Sequence, residues 1–152
     1  MDLYAELCAL VRGLDQAQVE YALCGGLAMA VYGIPRATRD IDLLARRADL
    51  EKFREVAHSR GFTDELMLMP FGGGLSAQRF RIPDIHDPDP LTLDVLLFEG
   101  ELDLVWNSRT QVQFEAGSIC VVSKPGLMTL KRRAGRPQDM VDIQLLEMLD
   151  DD

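Results

Sequence analysis

Three short islands hold the residues whose types and spacing could do chemistry. They are Gly25-Gly26, then Arg36-Ala37-Thr38-Arg39-Asp40-Ile41-Asp42, then Asp94 inside the apolar run Leu91 to Phe98. Asp40 and Asp42 alternate with Ile41 and Leu43, the pattern of a strand with one carboxylate face and one apolar face. Residues i and i+2 of a strand project to the same side, about 6.5–7 Å apart, so both carboxylates can converge on one cation. Asp94 from a later strand would complete an oxygen cage. Hard divalent ions such as Mg²⁺ (or Mn²⁺) prefer such ligands, with substrate phosphates in the remaining positions. Two ions about 3.5–4 Å apart support in-line phosphoryl chemistry. An unpaired carboxylate within an apolar run is costly, so Asp94 calls for a cation, a hydrogen-bonding partner or a water-filled pocket.

A glycine turn at a strand end that opens into a helix offers backbone N–H groups to a phosphate, and Gly25-Gly26 fits that description. Together these parts imply transfer of a nucleotidyl or phosphoryl group. Arg36 and Arg39 either bind substrate phosphate or pair with the carboxylates when no metal is present. Lys131, Arg132, Arg133 and Arg136 place four bases within six residues. They could meet a triphosphate or an RNA acceptor, although for Arg132 and Arg133 a helix C-terminus explains basic residues equally well. Gly72-Gly73-Gly74 lacks the Lys-Ser/Thr of a phosphate-binding loop and reads as a hairpin tip. His86, among Asp84, Asp87 and Asp89, reads as part of a solvated loop, and His58 has no motif around it. Met67, Met69, Met140 and Met148 read as core filler.

The elements that must position these residues follow from periodicity. Leu3, Leu7, Leu10, Val11 and Leu14 form one stripe of an amphipathic helix. Tyr21 to Cys24 reads as a strand, Leu27 to Tyr32 as a helix stopped by Gly33-Ile34-Pro35, and Arg36 to Ala45 as the carboxylate-bearing strand. Ala48 to Ser59 is expected to be helical, with Leu50, Phe53, Val56 and Ala57 inward. Two strands, Phe62 to Met69 and Leu75 to Ile82, precede an exposed loop from Pro83 to Pro90. Leu91 to Phe98 is a buried strand, followed by a weak turn near Gly100. Val112 to Phe114 and Ile119 to Val122 read as a hairpin around Glu115-Ala116-Gly117-Ser118. Pro125 to Arg133 and Gln138 to Leu149 read as two helices divided by Gly135-Arg136-Pro137. The expected fold is α/β (α+β): one domain over residues 1–152, a mixed β-sheet flanked by helices, with a helical N-terminus (2–16), a core (20–122) and closing helices (125–149).

The pattern Gly25-Gly26-x-Ala28, a helix, then Arg36-x-Thr38-x-Asp40-Ile41-Asp42 resembles the nucleotidyltransferase superfamily with the DNA polymerase beta-like core. Within it, the chain is most similar to the small bacterial group related to AbiEii-type abortive-infection toxins. The tail from Lys131 to Asp139-Met140-Val141-Asp142 is similar to that group's later motif, a lysine followed by Asp-x-x-Asp on the closing helix. The resemblance spans residues 20–146, and only these islands are specific. It implies that Asp40, Asp42 and Asp94 are catalytic and hold metal, with Asp94 helping to activate the acceptor. It also implies a nucleotide- and phosphate-binding set of Gly25, Gly26, Arg36, Thr38, Arg39, Lys131 and Arg136, with Asp139 and Asp142 lining or bracing the pocket. Two positions depart from the pattern: many members of the wider superfamily have Gly-Ser where this chain has Gly25-Gly26, and Gln138 stands where similar tails are often basic.

Composition bounds the partners. The chain has 152 residues, 47% of them hydrophobic, enough for one buried core. Sixteen Lys and Arg against 25 Asp and Glu give a net charge of −9, which weighs against a long nucleic-acid footprint. Seven acids and no Lys or Arg lie between Asp84 and Asp103. Cys8, Cys24 and Cys120 have neither disulfide nor zinc spacing. The acidic start and the lack of a long apolar run suggest a soluble, cytoplasmic protein with no membrane partner. The expected activity is metal-dependent transfer of NMP from an NTP, ATP included, to an acceptor hydroxyl, within a toxin-antitoxin or abortive-infection type of system. The acceptor would be an RNA end such as that of tRNA, a protein or a small molecule. A partner protein from an adjacent gene, or a homodimer, would supply recognition surface that so short a chain lacks. The alternative is a non-catalytic nucleotide- or partner-binding module with the same fold.

Overall fold

Asp2 caps the first helix, α1 (Leu3–Gln16), by accepting a hydrogen bond from Tyr4 N at 3.0 Å, and Leu7, Leu10, Val11 and Leu14 bury its inner stripe. The structure is a computed structural model that describes residues 2–72, 75–84, 86–114 and 117–149. After α1 come β1 (Ala22–Cys24), α2 (Gly25–Val31), β2 (Asp40–Arg46), a 3₁₀ turn (Arg47–Asp49) and α3 (Leu50–Ser59). Three strands follow, β3 (Asp64–Glu65), β4 (Met69–Gly72) and β5 (Leu75–Arg81), and then β6 (Thr92–Phe98) and α4 (Asp103–Asn107). The hairpin β7 (Thr110–Phe114) and β8 (Gly117–Val121) leads to α5 (Lys124–Ala134) and α6 (Pro137–Glu147).

Among the described residues eight strands form one mixed sheet in the order β3-β5-β6-β2-β1-β8-β7, with β4 also paired to β5. β2 and β6 run parallel, as do β1 and β8, and the other pairs are antiparallel. Ile41, Leu43 and Ala45 of β2 are fully buried, as are Leu93, Val95 and Leu97 of β6. The alternation of β2 therefore does what the sequence suggests: its apolar face enters the core and leaves Asp40 and Asp42 on the opposite face. This is the expected α/β domain with helices flanking a mixed sheet.

Four local expectations are corrected. The strand read from Phe62 to Met69 is broken: β3 and the Leu66 N–H, which donates to the Arg79 carbonyl at 3.0 Å, pair with β5, and the ladder resumes only at β4. Gln78 donates its side-chain amide to the Leu66 carbonyl at 2.6 Å, and Phe62 is buried just after the end of α3. Helix α4 was not legible, because five residues are too few for a periodic signal. It forms because Val105 and Trp106 bury, with Trp106 5.1 Å from the Phe98 ring and 4.0 Å from the Arg109 guanidinium. Met67, Met69, Met140 and Met148 are exposed, so they do not fill the core. The reading of 125–149 as two helices is close, but they begin at Lys124 and Pro137, and the described residues of 83–90, all but Ile85, hold neither helix nor strand. Gly73-Gly74 of the glycine tip and Glu115-Ala116 of the hairpin turn lie outside the described residues.

Leu43→Ala should cost about 2–5 kcal/mol of stability, because it opens a cavity between β1 and β6. Leu104→Ala, at a side chain 87% exposed, should change stability by less than about 0.5 kcal/mol. Urea unfolding of the two variants checks the contrast.

Candidate active site

Backbone register lays the site out as a row. Cys24 lies opposite Asp42, Asp42 beside Asp94, and Asp94 opposite Arg79. In-register residues on adjacent strands share a face at about 4.5–5.5 Å, so these four side chains cross β1, β2, β6 and β5 on one side of the sheet. The row on one side of it is apolar, with Ala22, Leu44, Leu96 and Ala77, and the row on the other is Asp40, Thr92 and Arg81. A cavity of about 740 Å³ opens over this boundary. Gly25, Gly26, Arg36, Thr38, Asp40, Asp42, Asp94, Lys131, Arg136, Asp139 and Asp142 all line it. Met69, Pro70 and Phe71 of β4 form an apolar wall.

Gly25 has φ +67°, the left-handed region, at the point where β1 turns into α2. A Cβ there would fall 2.2 Å from Asp42 Oδ2 and 2.7 Å from Asp42 Cβ, so the glycine makes room for the whole Asp42 side chain. At Gly26 a Cβ would meet nothing nearer than Thr38 at 3.8 Å, an ordinary contact. Thr38 Oγ1 accepts from Asp40 N at 3.0 Å and sets the entry to β2.

The opposite wall is built by a tight corner. Gly135, at φ +66°, ends α5, and Pro137 starts α6 directly afterwards. The corner folds Lys131 back onto Asp142 at 2.8 Å and Asp139 at 3.7 Å. Asp139 accepts from Arg136 N at 3.1 Å and from Arg136 Nε at 2.8 Å, while Arg36 and the Gln138 amide both reach Asp142. Three cations thus surround two buried carboxylates. Burial pulls Lys131 below the usual lysine range, against the attraction of Asp139. Burial also works to raise Asp139, but the Arg136 donors outweigh it and leave the carboxyl below its ordinary value.

Across the cavity the sign reverses. Asp42 is pushed up to about 7, first by burial and then by Asp94 and Asp40, with Lys131 and Arg136 relieving part of the strain. Asp40 is raised by burial and by Asp94, with Arg79 opposing. The carboxylates of Asp40 and Asp42 take no hydrogen bond or ion pair among the described residues. Asp94 is held by Arg79 through a two-pronged pair, Nε to Oδ1 at 2.8 Å and Nη2 to Oδ2 at 2.9 Å. In this arrangement no three His, Cys, Asp or Glu among the described residues form a ready metal group. The donor set nonetheless fits a hard divalent cation: it is all oxygen, and two of its carboxylates are unpartnered and mutually repelled.

Arg39 is the one expected site residue that does not line the cavity. It turns away to Asp87 Oδ2 at 3.2 Å and the Asp89 carbonyl at 3.1 Å, and so ties down the acidic loop. Arg79 was missed from sequence. Its only local signal is its place on a strand, and which carboxylate it meets depends on the β5–β6 register.

A family model described as "Nucleotidyl transferase AbiEii toxin, Type IV TA system" matches residues 8–150. The chain is similar in structure to TM1012 of Thermotoga maritima, a proposed nucleotidyltransferase, at 12% identity and TM-score 0.61, covering 91% of this chain and 88% of that one. It is also similar to the antibiotic-resistance factor ANT(2'')-Ia, at 12% identity and TM-score 0.68, covering 93% and 80%. JHP933 from Helicobacter pylori aligns at 14% identity and TM-score 0.61, covering 95% and 64%. Identities this low show a common fold. Comparison with curated proteins finds no match.

Gly25→Ala should lower stability by about 1–3 kcal/mol, from the left-handed backbone and the displaced Asp42, whereas Gly26→Ala should be tolerated. Thermal melts of both variants test this. An acid whose folded pKa is raised keeps a proton that the unfolded chain releases, so Asp42 costs the fold stability as pH rises from about 4 to about 7. In cation-free buffer the gain in Tm from Asp42→Asn should therefore be larger at pH 8 than at pH 5, and equal gains at both would contradict it.

Proposed function

The chain belongs to the AbiEii family of nucleotidyl transferase toxins, and on that premise we propose that it transfers NMP from an NTP to an acceptor hydroxyl. The observation that carries the reading is the polarity of one cavity: a row of carboxylates on its sheet side faces a cation-rich corner on its α5–α6 side. A nucleoside triphosphate suits this arrangement. Its phosphates would lie against Lys131, Arg36 and Arg136 and against the Gly25-Gly26 backbone, with the α-phosphorus toward the carboxylates.

Asp40, Asp42 and Asp94 are the residues that would hold Mg²⁺ or Mn²⁺. When bound, such an ion would draw charge from the phosphate oxygens and ease in-line displacement. The Asp94 carboxylate would take the acceptor proton as the new O–P bond forms and the bond to pyrophosphate breaks. Lys131 and Arg136 would meet the charge that builds on the leaving pyrophosphate. The Arg36–Asp142–Lys131 and Arg136–Asp139 contacts hold those cations in place, so their side chains need little further ordering when phosphate arrives.

The apolar wall at Met69, Pro70 and Phe71 is suited to a base or to an apolar face of the acceptor. ANT(2'')-Ia has been crystallised in complex with adenylyl-2''-tobramycin, which supports a hydroxyl acceptor for a site on this fold. For this chain the acceptor is an RNA end such as tRNA, a protein or a small molecule, and a toxin family fits a partner protein. No helix among the described residues is long and apolar enough to cross a membrane.

One observation favours a second reading, a non-catalytic nucleotide- or partner-binding module: Asp94 is already engaged by Arg79. Incubation with α-³²P-labelled NTPs and cell extract separates the two. Catalysis predicts labelled acceptor that Asp40→Ala reduces by on the order of 10²-fold or more. Triphosphate binding without any label, or equal label from Asp40→Ala, would favour the binding module.

A further inference from the structure

Arg79 stands where the third carboxylate would meet a cation. Its guanidinium fork takes both Asp94 oxygens, at 2.8 and 2.9 Å, in the same row as Asp42. A fork of this kind uses the oxygen lone pairs that face it, and its positive charge repels any dication brought to the same carboxylate. Without a cation it has the opposite value, because it offsets one of three converging negative charges. Its side chain lines the cavity and is 44% exposed, so it has somewhere to go when displaced. Once released, it would carry unpaired N–H donors into the cavity that the proposed triphosphate would fill.

We infer that Arg79 is an internal counter-ion that holds Asp94 in the cation-free site and competes directly with the divalent ion for it. Arg79 is thus a positioning residue that sets the threshold for metal loading. The inference rests on the reading of Asp40, Asp42 and Asp94 as the metal-holding set.

Mn²⁺ titration of the full chain, followed by electron paramagnetic resonance, tests it without an activity assay. Arg79→Gln should bind Mn²⁺ roughly three- to tenfold more tightly than the wild type, the worth of one partly solvent-screened two-pronged pair. Arg79→Lys keeps the charge, loses the fork and should fall between them. Arg79→Gln should also melt at a lower temperature than the wild type without cation and gain more on adding Mn²⁺. Affinity in Arg79→Gln equal to or weaker than wild type, while Asp42→Asn abolishes binding, would overturn the counter-ion role of Arg79 and leave the metal reading standing. If neither the wild type nor Arg79→Gln binds Mn²⁺ with NTP present, the metal reading itself falls.

Discussion

Parallel pairing of β2 with β6 forces Asp42 and Asp94 side by side, with Asp40 two residues away on the same face. No side-chain rotation separates them fully, because the spacing is set by the backbone ladder. Burial and this mutual repulsion push Asp42 up to about 7. The surroundings can be understood as responses to that charge. Gly25 gives up its side chain so that Asp42 has room, Arg79 neutralises Asp94, and Lys131 and Arg136 lower the potential from across the cavity. A fold that concentrates negative charge at this energetic disadvantage leaves carboxylates whose mutual repulsion a bound cation would relieve.

The α5–α6 corner answers with the other sign. Lys131, Arg36 and Arg136 are not free surface cations: each is tied to Asp139 or Asp142, both buried. Such pairing is weak evidence for stability but useful for orientation, since it fixes long side chains before a ligand arrives. The surplus of cations over carboxylates leaves the corner attractive to phosphate. Within a chain of net charge −9, this local reversal matters more than the total.

Elements with a strong period were legible. α1, α3, β2 and β6 lie within a few residues of where alternation or helical stripes put them, and α5 and α6 lie where the Gly135-Arg136-Pro137 break divides the closing helices. Where tertiary context decides, the reading failed. The 62–69 stretch has strand-like residues but loses part of its ladder to the Gln78 side chain, and α4 is held by Trp106 packing that no local pattern announces. Met67 and Met148 are hydrophobic by type, yet the sheet edge and the helix end leave them in solvent.

For the site, the sequence determined which groups share a face, because strand alternation is a local property: Asp40 and Asp42 had to point the same way, and a glycine had to precede them at the turn. It also determined that a basic segment and an Asp-x-x-Asp lie on closing helices. Only the tertiary structure decided who faces whom. Arg39, beside the carboxylates in sequence, goes to the Asp87 loop, while Arg79, outside all three islands, takes Asp94. Register between strands and the angle of a two-residue helix corner are products of packing across the whole core, so no reading of spacing along the chain could supply them.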